Sequence, residues 1–168
     1  ILRLAVPAAL AAFLQHAFRP LDQLFVSSLG RDAQGAIGST TFVVILVWAL
    51  FVLVSGGVGP LVARATGRSN PEERVHVIAT GLSVITVLYV IVGVFVVAGA
   101  GTIASMLGLS GDIAALTTTY LQVLYVTGFA MAIGPVIDAA LIGMGNTVLP
   151  LILQTVVLCI NACLTYIF

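Results

Sequence analysis

Five long apolar segments, separated by short runs of glycine and polar residues, make up the chain. They cover about residues 1–29, 33–66, 71–100, 112–143 and 147–168. Each is as long as, or longer than, the roughly 20 residues that a helix needs to cross the hydrocarbon core of a bilayer. The pattern therefore predicts an all-α protein with about five transmembrane helices.

The clearest boundary lies between the second and third segments. Asn70 followed by Pro71 is typical of an N-cap and a first-turn proline, and Glu72 and Glu73 favour the positive end of a helix. Near the end of the second segment, the run 55–60 contains three glycines. Glycine weakens a helix by roughly 1 kcal/mol, whereas small residues let helices approach closely. Both a flexible joint and a packing role fit this run.

The first segment carries a polar face. At about 100° per residue, five polar side chains fall within an arc of about 120°. They are Gln15, His16, Arg19, Asp22 and Gln23. Asp22 is the most informative, because a carboxylate at membrane depth costs roughly 2.5–3.5 kcal/mol and marks a functional site. Pro7 and Pro20 flank much of this face, which fits either a helix that bends or a static kink filled by packing.

Two further polar stripes follow in the fourth and fifth segments. The fourth-segment stripe consists of Tyr120, Thr127 and Asp138, provided that Pro135 does not shift its phase. The fifth-segment stripe consists of Gln154, Asn161 and Thr165, which fall within about 40° of one another. The sequence therefore predicts three polar helix faces that could line one cavity.

Composition supports a membrane protein and excludes several other classes. Of the 168 residues, 61% are hydrophobic and 7% are charged, whereas soluble domains are about 25% charged. The net charge is zero, which excludes a basic nucleic-acid surface. Cys159 and Cys163 lie four residues apart in an apolar run, which indicates core thiols rather than a disulfide or metal site. No enzyme motif and no cofactor motif is present, and residues 1–168 are predicted to form a single domain.

The arginines predict the orientation in the membrane. Arg3, Arg64, Arg68 and Arg74 fall on one side of the predicted bilayer, and the opposite loops offer only Arg31. Because positive residues favour the cytoplasmic side, the N-terminus is predicted to be cytoplasmic, in an inner or plasma membrane. At about 1.5 Å per residue, position 22 then lies in the outer half of the membrane, as does position 161, and position 138 lies nearer the inner side.

The polar residues allow two kinds of ion coupling. A buried carboxyl group can take up and release a proton, and the oxygens of Asp22, Asn161 and Thr165 could instead coordinate Na⁺. A third interpretation is structural, because Arg19 lies three residues before Asp22 and could simply neutralise it. Arg19→Ala tests this pairing, since an unchanged pH dependence of transport would contradict it.

Short motifs along the whole chain resemble the N-terminal lobe of the multidrug and toxic compound extrusion (MATE) family. In chain order they are ILRLAVPAAL, PLDQLFVSSLG, GPLVARATGRSNPEE, LIGMGNTVLP and NACLTY. Each motif is weak alone, but five in the right order make a specific match. The resemblance implies export of organic, often cationic, compounds driven by H⁺ or Na⁺ entry. It also implies a fold of twelve helices in two lobes, of which this chain covers about five helices.

The resemblance also assigns individual residues. The family's acidic coupling residue falls on Asp22, its polar residue two turns earlier on Gln15, and its helix-five asparagine on Asn161; the helix-four tyrosine falls on Tyr120. Together with the polar stripes, this gives two predicted sets. The predicted ion-coupling residues are Asp22, Asp138, Asn161 and Thr165, with Asp22 and Asn161 as candidate Na⁺ ligands. The predicted substrate-cavity residues are Gln15, Arg19, Tyr120, Thr127 and Gln154.

Four positions depart from the family pattern. Many members carry an acid where this chain has Thr165, and an arginine where it has Ile142. Arg19 occupies a position that is usually neutral, and Asp138 adds a carboxylate. We hypothesise that Asp138 partly replaces the acid missing at Thr165.

Two other functions remain open at this stage. One is a flippase for lipid-linked oligosaccharides of the same superfamily, which would line its cavity with several cations for a pyrophosphate. Arg19 is the single cation inside a predicted span. The other is a structural membrane subunit whose polar stripes serve helix packing. The expected partners of an exporter are small organic substrates, membrane lipid and a second lobe in a longer protein.

Overall fold

The computed structural model describes residues 31–167 and, before them, residues 6, 7, 9, 10 and 13. At 31–33, 161, 162 and 164–167 it describes the backbone alone. Residues 31–167 form five helices and no strand. They are α1 (Arg31–Gly67), α2 (Pro71–Met106), α3 (Gly111–Thr127), α4 (Phe129–Gly143) and α5 (Val148–Ile167). The predicted all-helical fold class is confirmed.

The predicted boundary between the second and third segments is confirmed in detail. Asn70 has an extended backbone and is the N-cap of α2, and its side chain accepts a hydrogen bond from the backbone N–H of Glu73 at 3.1 Å. Pro71 is the first residue of α2, where its missing N–H has no cost. Glu72 and Glu73 occupy the first turn. Local sequence chemistry alone therefore sets this helix start.

The third predicted segment was expected to end near residue 100, but α2 continues to Met106. Ala100 and Ala104 are buried in this extension, so tertiary packing extends the helix through two glycines. The turn glycine is Gly108, whose φ of +74° suits a residue without a side chain.

The fourth predicted segment, 112–143, is divided into two helices. α3 ends at Thr127 and α4 begins at Phe129, with Gly128 between them, and the two helix axes differ by 48°. Glycine has a low helix propensity, which favours a break at this position, although α4 itself continues through Pro135.

The core lies where α1, α2 and the broken span α3–α4 pack together. α1 and α4 approach so closely at Gly143 that a Cβ there would lie 2.7 Å from the Gly59 carbonyl oxygen. α1 and α2 are equally close at Gly81, where a Cβ would lie 2.5 Å from a methyl group of Val58. Small residues thus bring the three helices together, as is usual where lipid provides no hydrophobic driving force. α1 continues unbroken through the run 55–60 and Pro60. Gly59 alone of its three glycines has a packing role in the described part, because a Cβ there would lie 3.6 Å from the Ala139 carbonyl oxygen of α4, whereas Gly56 and Gly57 have no neighbour within 4 Å.

α5 lies at the periphery of the described bundle and contacts it mainly through α4. Cys159 and Cys163 are free thiols, as predicted, but both are exposed on α5. The burial predicted for them is not found in the described part of the chain, where α5 has few neighbours. Within that part, α1 and α2 are long and apolar enough to cross a membrane, and α3–α4 qualifies as a third span if the bent pair is taken as one.

Candidate functional site

Several predicted site residues lie outside what the structure describes. They are Gln15, Arg19, Pro20 and Asp22, and the side chains of Asn161 and Thr165. Pro7 is described and is helical. The site geometry therefore comes from α3, α4 and the first part of α5.

Asp138 on α4 and Gln154 on α5 form a side-chain hydrogen bond. The Gln154 Nε2 donates to Oδ2 of Asp138 at 3.0 Å, and both side chains are half-buried. Asp138 precedes the end of α4 at Gly143 by five residues, and Gln154 follows the start of α5 at Val148 by six. Each residue is therefore about 8–9 Å along its helix from the intervening turn. Two of the three predicted polar stripes meet here at equal depth.

The position of Asp138 on α4 follows from the core residues beside it. Val136 and Ala140 are buried, and a Cβ on Gly81 of α2 would lie 3.5 Å from a methyl group of Val136. Asp138 is two residues from each of them, which is about 200° around the helix. The carboxyl group therefore lies on the side of α4 away from the core, toward α5. Gln154 supplies a hydrogen-bond donor to an acid within an apolar helix.

Tyr120 and Thr127 do not continue this pair along one face. Tyr120 is half-exposed on α3, and Thr127 is exposed as the last residue of that helix. The Thr127 hydroxyl donates to the Val123 carbonyl at 2.7 Å, a bond within its own helix. The predicted stripe requires one straight helix from Tyr120 to Asp138, and the break at Gly128 removes that alignment.

A second buried polar contact lies beside the break and was not predicted. The Tyr89 hydroxyl, on α2, donates to the backbone carbonyl of Tyr125 on α3 at 2.7 Å. Both tyrosines are buried, and they line a cavity of ≈ 10 Å³ together with Gly128. The sequence signal was a tyrosine in the middle of an apolar span, since a buried tyrosine hydroxyl usually finds a partner. The partner of the Tyr89 hydroxyl is a backbone carbonyl that lacks its helical hydrogen bond because the helix breaks. A pattern of side chains does not reveal such a partner.

The described residues contain no group of three His, Cys, Asp or Glu side chains that could hold a metal ion. The candidate Na⁺ ligands Asp22 and Asn161 were predicted from side chains outside that part of the chain. The described geometry thus provides one carboxylate with an amide donor at membrane depth. Such a group can bind a proton or pair with a cationic molecule.

Comparisons with known proteins agree with this architecture. The family model MatE matches residues 7–167, whereas no curated protein matches by sequence. A MOP superfamily transporter from Pyrococcus furiosus Vc1 (DSM3638), described as having a binding pocket of reverse polarity, superposes with a TM-score of 0.89 at 23% identity. A MATE transporter in complex with MaL6 superposes with a TM-score of 0.92, and an outward-facing multidrug resistance MATE transporter with 0.90, both at 23% identity.

These superpositions cover 99% of this chain and 37% of each solved chain. The chain thus spans about 37% of the length of the transporters that it resembles. At this level of identity, the structural likeness establishes the fold.

Proposed function

This chain belongs to the MatE family, and from that premise we propose that it is part of a membrane transporter and forms most of the first lobe of a secondary active exporter. The complete transporter would exchange organic, often cationic, compounds for H⁺ or Na⁺. The second lobe would be supplied by the rest of a longer protein. The N-terminus would be cytoplasmic in an inner or plasma membrane, as the arginine distribution indicates.

The observation that carries this proposal is the Asp138–Gln154 pair. The carboxylate lies on α4, whose other residues are all apolar or glycine. Its hydrogen-bond partner is an uncharged amide. An amide donor leaves the charge of the carboxylate uncompensated, so the site favours uptake of a proton or a cation. This is the property that an ion-coupled exporter requires.

We assign the coupling ion to two acids, Asp22 and Asp138. Asp22 takes the family's coupling position, with Asn161 and Thr165 as oxygen donors. Asp138 supplies the carboxylate that the chain lacks at Thr165. Whether the ion is H⁺ or Na⁺ is then decided by how many oxygens converge on it, because Na⁺ needs several and a proton needs one.

The substrate is proposed to occupy a cavity lined by polar residues of three helices. These residues are Gln15, Arg19 and Gln154, together with Asp138; Tyr120 and Thr127 lie before the bend on α3 and are not assigned to this cavity. Binding of an organic cation near Asp138 and binding of the coupling ion to Asp138 would then be mutually exclusive. That exclusion links substrate release to ion entry without any covalent step.

Dye efflux by the full-length transporter in cells tests the proposal. Efflux by the wild type is measured under an H⁺ gradient and, separately, under a Na⁺ gradient. Under the gradient that drives it, Asp138→Asn and Asp22→Asn should each slow efflux by tenfold or more. Asp112→Asn is the matched control, because Asp112 is an exposed acid in the first turn of α3. Unchanged efflux in both span variants would contradict ion coupling through these acids.

Two other functions would give different results in the same assay. A flippase for lipid-linked oligosaccharides would move no dye but would expose a labelled lipid on the opposite leaflet. A structural subunit would do neither, and its acids would be replaceable without effect on any flux.

A further inference from the structure

The break between α3 and α4 leaves the backbone carbonyl of Tyr125 without its usual helical partner. In a continuous helix the carbonyl of Tyr125 accepts from the N–H of residue 129. Here residue 129 begins a new helix, and the Tyr125 carbonyl accepts from the Tyr89 hydroxyl of α2 at 2.7 Å. Because an unsatisfied buried carbonyl is costly, this hydroxyl stabilises the bent form of the span relative to the straight form.

The ring of Tyr89 also connects the two sides of the break to α1. Its centroid lies 5.2 Å from that of Phe129, the first residue of α4, in an edge-on arrangement at 62°. It lies 5.9 Å from that of Phe51 on α1, at 42°. One side chain therefore contacts α1, the end of α3 and the start of α4.

Gly128 provides an independent indication that the bend is built into the sequence. A Cβ at this position would collide with the backbone carbonyl oxygen of Leu124 and would lie 3.4 Å from the sulfur of Met131. The bent form therefore excludes any side chain here. In a regular helix, by contrast, alanine is favoured over glycine.

We propose that Tyr89 is a positioning residue, which holds the span bent and thereby sets where α4 carries Asp138. Asp138 lies ten residues beyond Gly128, about 15 Å along α4. If α3 stayed fixed and the 48° bend straightened, Asp138 would move sideways by about 11 Å. Such a movement breaks the 3.0 Å bond to Gln154 unless α5 moves as well. The functional importance of where Asp138 lies rests on the proposed function, whereas the role of Tyr89 in holding the bend does not.

Spin-label distances in the full-length transporter test the bend itself. The labels replace Val75 on α2 and Ile142 on α4, after Cys159→Ser and Cys163→Ser. Val75 and Ile142 are 62% and 47% exposed. They lie at the same level in the bundle, because Gly81 packs against Val136 and each labelled position is six residues from that contact along its own helix. Full straightening displaces position 142 by about 15 Å, which pulsed electron paramagnetic resonance resolves readily.

We expect Tyr89→Phe combined with Gly128→Ala to produce a second, displaced population, because each change disfavours the bent form by a different contact. Tyr125→Phe is the matched control. It removes a tyrosine hydroxyl from the same cavity but keeps the accepting carbonyl. A double variant whose distances superimpose on the wild-type distances would overturn the proposal, and so would an equal shift in Tyr125→Phe.

The positioning role has a second readout in transport. Tyr89→Phe should change the ion concentration for half-maximal efflux by about fivefold, in the same direction as Gln154→Ala. For H⁺ both variants should lower that concentration, because the lost amide donor stabilised the charged carboxylate. A variant that only lowers the amount of folded protein would contradict positioning. The distance measurement needs no ion or substrate gradient, so it stands even if antiport itself is disproved.

Discussion

Gly143→Ala tests whether close helix contact, rather than lipid-facing apolar surface, holds the bundle together. The added Cβ would lie 2.7 Å from the Gly59 carbonyl oxygen, 3.1 Å from the Val62 Cβ and 3.2 Å from the Ala63 nitrogen. Ordinary contacts begin at 3.4 Å, so α1 and α4 must separate by roughly 0.7 Å at this point. Two of the three atoms belong to the backbone and cannot rotate away.

The expected loss follows from two opposing effects. Overpacking of a well-packed interface costs typically 1–3 kcal/mol, and alanine in place of glycine returns up to about 1 kcal/mol through helix propensity. We expect Gly143→Ala to lower the free energy of unfolding of the full-length transporter by about 1–2 kcal/mol. Gly143→Val should lose more, because its two methyl groups meet the same backbone.

Reversible unfolding by SDS in detergent micelles measures this difference. Gly57→Ala on α1 is the matched control, since a Cβ there has no neighbour within 4 Å, and it should leave stability unchanged or raise it. If Gly143→Ala is as stable as Gly57→Ala, the close contact between α1 and α4 does not hold the bundle together.

Two further predictions concern a helix cap and the polar pair. Asn70→Ala should lower the free energy of unfolding by about 1 kcal/mol, because it removes the cap bond to Glu73. Ser110→Ala should change it by a few tenths, since Ser110 makes no side-chain cap bond; equal losses in the two variants would contradict this account. Asp138→Ala and Gln154→Ala should couple by about 1–2 kcal/mol in a double-mutant cycle of unfolding free energies, and additive effects would mean that their hydrogen bond contributes nothing.

Local chemistry explains which parts of the fold could be predicted from the sequence. The start of α2 depends on Asn70 and its next three residues, and all the relevant interactions lie within one turn. The end of α2 depends on packing of Ala100 and Ala104 against other helices, so the glycines nearby gave a boundary that was too early. The bend at Gly128 is stabilised by the Tyr89 hydroxyl of another helix, 36 residues before the Tyr125 carbonyl that it binds.

The candidate site shows the same division. Helical periodicity identified Asp138 and Gln154 as members of polar stripes, because periodicity is a local property. Their meeting depends on how α4 and α5 pack around the turn between them, and the helical wheel carries no such information. The wheel also did not anticipate the bend between Thr127 and Asp138, since it assumes one continuous helix axis.

Ion movement driven by substrate alone tests the central claim most directly. The full-length transporter is reconstituted into liposomes loaded with an organic cation, with no initial ion gradient, and lumenal pH and ²²Na⁺ uptake are followed as the cation is diluted outside. The account predicts that outward movement of the organic cation draws H⁺ or Na⁺ inward, and that the wild-type flux falls at least tenfold in Asp138→Asn. Export of the cation with no movement of either ion would contradict it.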